Sequence, residues 1–121
     1  MRHRCLRGAL LLLALVGPAD AVLALNTNFL RTSPVSRFNS KDLALMQVAF
    51  TQAMDKEADG MGVDWANEQT RSGGTVTPQQ SFERDGRKCR VASIATWHRH
   101  MRAEGIYSFC RDPQGDWRLQ P

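Results

Sequence analysis

Leu43, Met46, Phe50, Ala53 and Met54 recur along the chain at the spacing of one helical face, while Lys41, Gln47, Gln52 and Lys56 fall off it. Ser40 is a suitable cap and Asp42 puts a negative charge in the first turn, where the helix dipole favours it. With Asp59-Gly60 as a stop, the pattern predicts a helix over residues 41–58. Past Gly60 the period shortens to two. Val63 and Trp65 alternate with Gly62 and Asp64 as in a half-buried strand. Polar residues 67–74, ending in Gly73-Gly74, read as a hairpin turn, and the β-branched Thr75-Val76-Thr77 reads as the returning strand. Pro78 ends that strand or marks a sheet edge. Residues 81–84 form a short strand candidate, closed by the turn signal Asp85-Gly86.

Residues 89–94 and 106–111 are both strand-like, and no glycine or proline lies between Arg87 and Glu104. If they pair about a tight turn at Arg99-His100, Cys89 falls opposite Cys110. The rival reading is a short helix over residues 97–103. Asp112-Pro113-Gln114-Gly115 has proline at the second position of a β-turn, and residues 116–119 make a last strand around Trp117. One helix followed by short antiparallel strands is an α+β pattern. It predicts a helix packed on a four- to five-stranded meander, with Trp65, Phe82, Val91, Phe109 and Trp117 between the layers.

The N-terminus changes the compartment. Arg2, Arg4 and Arg7 precede an apolar run over residues 9–16, Gly17-Pro18 ends it, and Ala19/Ala21 and Val22/Ala24 follow as small-residue pairs. This is the order of a secretory signal peptide over residues 1–24, with cleavage after Ala21 or Ala24. The run is far shorter than the roughly 20 residues of a membrane span. Cys5 precedes the run, so the expected mature chain carries neither an acyl anchor nor a transmembrane span. Its length, about 97 residues, suits one small domain, with residues 25–39 as an extended arm and residues 40–121 as the domain. In an oxidising compartment Cys89 and Cys110 are expected to pair, worth about 3 kcal/mol for a loop of this size. Two free buried thiols are the alternative.

Chemistry is sparse. The chain has no phosphate-binding glycine loop, zinc spacing or nucleophile elbow, which argues against an enzyme and against a cofactor. His98 and His100 could share a divalent metal but have no third ligand nearby, and surface histidines explain them as well. Asp55, Glu57 and Asp59 read as a solvated helix end. Charge is more informative. The full chain carries a formal net charge of +4, and from Arg84 onward eight basic side chains face four acidic ones. Arg84, Arg87, Lys88 and Arg118, with Arg90 and Arg111 nearby, therefore bias the sheet positive. That face could meet an envelope component such as lipopolysaccharide or peptidoglycan. No stacking platform for nucleic acid is visible.

Four motifs follow in order: Trp65-Ala66-Asn67; Gly74-Thr75-Val76-Thr77-Pro78; Gly86-Arg87-Lys88-Cys89-Arg90; and Cys110-Arg111 with Gly115 and Trp117. Together they resemble the domain of the rickettsial-type seventeen-kilodalton outer-membrane surface antigens. The helical Asp42-Leu43-Ala44-Leu45-Met46 segment also looks like the helix that precedes that domain. The resemblance covers about residues 40–119. It implies an envelope location, in the periplasm or outer membrane of a Gram-negative bacterium, and a non-enzymatic structural or binding role. Two further readings stay open: a periplasmic inhibitor or chaperone-like module that grips a protein partner, and a metal or small-molecule binder. Lipidated relatives carry a cysteine at the processing site and a glycine-rich zipper, and this chain has neither. The turn between the cysteines also lacks the glycine often found there.

Overall fold

The structure, a computed structural model, describes residues 33–121. The leader and most of the expected arm lie outside the described residues. Five strands form one antiparallel sheet in chain order: β1 (Val63–Asn67), β2 (Ser72–Arg84), β3 (Arg87–His98), β4 (Met101–Arg111) and β5 (Trp117–Leu119). One helix, α1 (Ser40–Lys56), packs on β1 and β2. The α+β meander is as expected.

The structure moves the start of the helix by one residue. The cap is Asn39, not Ser40: its side chain accepts the Asp42 N–H at 2.8 Å, and the Asp42 carboxylate accepts the Asn39 N–H at 2.9 Å. This reciprocal box satisfies two donors that a helix start leaves open. It also turns Asp42 inward, so the buried positions are Asp42, Ala49, Ala53 and Met54, while Leu43 is 43% exposed. The helix ends at Lys56, two residues before the expected stop. Upstream, where composition predicts extended chain, Pro34–Arg37 form one 3₁₀ turn with Pro34 buried. The Phe38 ring then meets Trp65 edge-on at 5.2 Å.

β2 is one long strand rather than two short ones. Gly73 and Gly74 lie inside it, not at a turn, and residues 68–71 make the connection. Their missing side chains leave room for two indoles. A Cβ on Gly73 would stand 2.1 Å from the Trp97 ring, and one on Gly74 would stand 2.7 Å from Trp65 Nε1. The strand passes Pro78 because β1 has already ended there, so the proline sits at a sheet edge, where no ladder bond needs its missing N–H. Its carbonyl accepts the Gly60 N–H. The register shifts between Pro78 and Gln80. A one-residue bulge reverses which face each later side chain meets. Phe82 therefore pairs with Cys89 on the face away from α1. Val91, which alternates with Arg90 and Ala92, lies on that face too. Neither joins the core expected for it. The core under the helix is Ala53, Met54, Val76 and Ala92, flanked by Phe50, Val63, Ile94, Phe109 and Trp117.

β3 and β4 pair as a hairpin from His98↔Met101 to Cys89↔Cys110, which rules out the short helix. Cys89 and Cys110 are disulfide-bonded and almost fully buried.

Candidate functional site

The sheet has two charged ends, and they handle charge differently. The first lies where α1 stops. Helix termini leave carbonyls without partners, and Arg90 fills that need. Its Nη1 donates to the carbonyls of Ala53 (3.1 Å) and Met54 (2.9 Å), its Nε to Ser81 Oγ (3.0 Å) and its Nη2 to Asp59 Oδ1 (2.7 Å). Only 11% of its side chain is exposed. Arg111 stands beside it, 4.5 Å from the Trp117 ring, donating to Asp55 Oδ1 and to the Gly115 carbonyl, both at 2.9 Å. Trp117 Nε1 donates to the same Asp55 oxygen at 2.8 Å. Asp55 and Asp59 are thus the partners of two arginines.

The residues expected to form an anion-binding face are spread around this end. Arg118 donates to Asp112 at 2.8 Å, Lys88 stands opposite Glu83, and Arg84 lies over the Phe82 ring at 5.5 Å. Arg87 flanks the Asp85-Gly86 turn, where both residues take positive φ. Hydrogen bonds from Arg90 and Ser81 hold the Asp59 carboxyl below the usual range. Those from Arg118 and the Asp116 amide do the same for Asp112.

At the start of α1, Asp42 is buried beneath the sheet's other end. It accepts from Asn67 Nδ2 and Thr70 Oγ1, both at 2.7 Å. Burial pushes its carboxyl up, but the bonds from the Asn39 amide, Thr70 and Asn67, with the nearby His98, outweigh it and hold the group below its ordinary value. His98 Nδ1 lies 2.7 Å from Ser72 Oγ. Trp65 Nε1, buried against Gly74, has no hydrogen-bond partner among the described residues.

Just beyond this network lies the second end, where the 68–71 and 99–100 connections meet. Arg99 N–H donates to the Arg71 carbonyl at 2.7 Å, and both residues have positive φ, +55° and +52°. Glu68, Arg71, Trp97, Arg99, His100 and Arg102 line a cleft of about 500 Å³. Arg37, His98, Arg99 and His100 line a smaller one beside it. A divalent cation at His98 and His100 would face these arginines. Among the described residues no three histidine, cysteine or acidic side chains gather as metal ligands. A turn placed at Gly73-Gly74 hides the arginine cluster, because both glycines lie inside β2. Placing the tip at Arg71 would have set it beside Arg99.

The four motifs map onto intrachain contacts. Trp65 lies over Gly74, Asn67 holds Asp42, Val76 fills the core, Pro78 flanks the bulge, and Gly86 and Gly115 take positive φ. Cys89 and Cys110 pair, and Arg90, Arg111 and Trp117 bind the helix end. Residues 52–118 match the 17 kDa outer membrane surface antigen family. The chain belongs to that family. Two curated relatives, each named "17 kDa surface antigen", come from Rickettsia bellii (strain RML369-C) and Rickettsia bellii. Each is 26% identical over 84 residues, covering 67% of this chain and 52% of the relative. The chain thus spans about half the length of these curated relatives. No solved structure matches this surface-antigen domain. No described helix is long and apolar enough to cross a membrane.

Proposed function

We propose that this surface-antigen-family chain is an exported, non-catalytic module of the Gram-negative envelope, acting as a structural or binding element in the periplasm or at the outer membrane. One observation carries this reading: the motif side chains are spent on holding the fold. Arg90 binds the helix-end carbonyls and Asp59, and Arg111 and Trp117 both bind Asp55, which leaves no free acid, base or nucleophile among them. The buried disulfide suits the oxidising compartment to which a leader would deliver the chain. The test is the intact mass of the protein from its native envelope fraction, taken without reductant. A chain starting at residue 22 or 25, two hydrogens light and without added lipid, supports the reading. A retained leader or free thiols overturns it. On the same reading, Arg84, Arg87, Lys88 and Arg118 face an anionic envelope component, and retention on immobilised lipopolysaccharide that collapses in high salt checks this.

A second reading, a module that grips a protein partner, is favoured by the edge of β4. β5 covers only Phe109, Cys110 and Arg111, and among the described residues no strand pairs with the outer edge over residues 101–107. Ile106 on that stretch is 67% exposed. An open edge can take an added strand. Ile106→Lys should then abolish capture of an extended peptide partner, and unchanged capture removes this reading.

A further inference from the structure

The geometry points to a second, distinct anion site, formed by Arg71, Arg99 and Arg102 around Trp97, that takes a phosphate-bearing saccharide. This deepens the envelope-binding reading and rests on it only for the compartment.

Three observations converge. First, Arg71 and Arg99 both hold positive φ. Side chains with a Cβ meet steric cost there, and two-residue hairpin turns such as Arg99-His100 favour glycine, asparagine or aspartate at such positions. The 2.7 Å bond from Arg99 N–H to the Arg71 carbonyl joins the two turns, and both arginines line the same cleft. The backbone strain does not help the fold, and it is what a site holding its cations ready for an anion would show.

Second, the cations are unspent. The three ion pairs among the described residues use Arg90, Arg111 and Arg118, and none uses Arg37, Arg71, Arg99 or Arg102. Glu68 is the one acidic side chain lining the larger cleft. Guanidinium forks match phosphate oxygens in pairs, which favours phosphate over a diffuse negative field.

Third, the wall is aromatic and fixed. The Trp97 indole occupies the space that a Gly73 Cβ would need, so the bare backbone of β2 seats it. Arg102 lies over the same ring at 5.9 Å. An amphipathic ring beside arginine forks suits a sugar ring carrying phosphate better than inorganic phosphate alone.

The test titrates the disulfide-closed protein with fructose 1,6-bisphosphate by calorimetry, with fructose and phosphatidylglycerol vesicles as parallel arms. The bisphosphate should bind, fructose should not, and raised salt should weaken binding severalfold. The pair Arg71→Gly and Arg99→Gly keeps the backbone that the turns require. It should lose at least about tenfold in affinity while its thermal midpoint stays equal or rises. The pair Lys41→Gln and Lys56→Gln, both exposed on α1 and outside the cleft, removes the same number of charges and should bind within about twofold of the parent. Retained binding in the glycine pair, or equal loss in the lysine pair, overturns the site. Vesicle binding without bisphosphate binding overturns the saccharide assignment. A mass showing free thiols would break the envelope reading and leave this titration intact, so the two failures are distinguishable.

Discussion

The two ends of the sheet carry similar numbers of arginines and use them in opposite ways. At the helix stop, Arg90 donates to two helix carbonyls and to Asp59, and Arg111 donates to Asp55. At the opposite end, Arg71 and Arg99 sit on strained turn tips with no ion pair among the described residues. Net charge along the chain cannot separate the two cases, because a cation beside an orphaned helix end and a cation on a turn count alike. What distinguishes them is what each guanidinium touches.

Several substitutions would break or sharpen this contrast, and the largest effects belong to the stapled end. Replacing Cys89 and Cys110 together with alanine should lower stability by about 3 kcal/mol, measured by urea denaturation against the oxidised parent. Arg90→Leu removes donors from two carbonyls and from Asp59 and should cost about 2–3 kcal/mol in the same assay. Arg111→Lys keeps the charge but loses the planar fork over Trp117, for a cost of about 1 kcal/mol. At the other end of the scale, Arg84→Gln and Arg87→Gln should each stay within about 0.5 kcal/mol, being surface substitutions.

Acid acts on both regions in the same direction. The Asp42, Asp59 and Asp112 carboxyls are all held below their ordinary value in the folded chain. The unfolded chain therefore binds more protons as the pH falls. Stability is full above about pH 5 and is lost as the pH drops through the depressed folded values. Asp42→Asn should flatten that acid limb, as followed by circular dichroism between about pH 5 and pH 2.

Much of the fold was legible in local patterns. The apolar steps from Met46 to Met54 located α1, and the symmetry of the cysteines about Arg99-His100 set the β3–β4 register. Misreadings arose wherever a residue's role depended on a distant partner. The first-turn position of Asp42 is local, but its burial depends on Asn67 and Thr70, far along the chain. Gly73 and Gly74 resembled a turn because the indoles they accommodate come from β1 and β3. Phe82 looked inward because nothing local announces the bulge after Pro78. The candidate site was the least legible part. The arginines at the helix stop were visible as a basic cluster, but their engagement was not, and the Arg71–Arg99 pair emerges only once two separate connections are placed side by side.

The disulfide joins neighbouring strands on the face turned away from α1. Closing it asks nothing of the helix. If the chain is exported as proposed, the hairpin can be covalently set in register independently of the helix, and that register is what aims Arg90 at the helix end. The bond would then serve the alignment of the two layers while touching only one of them.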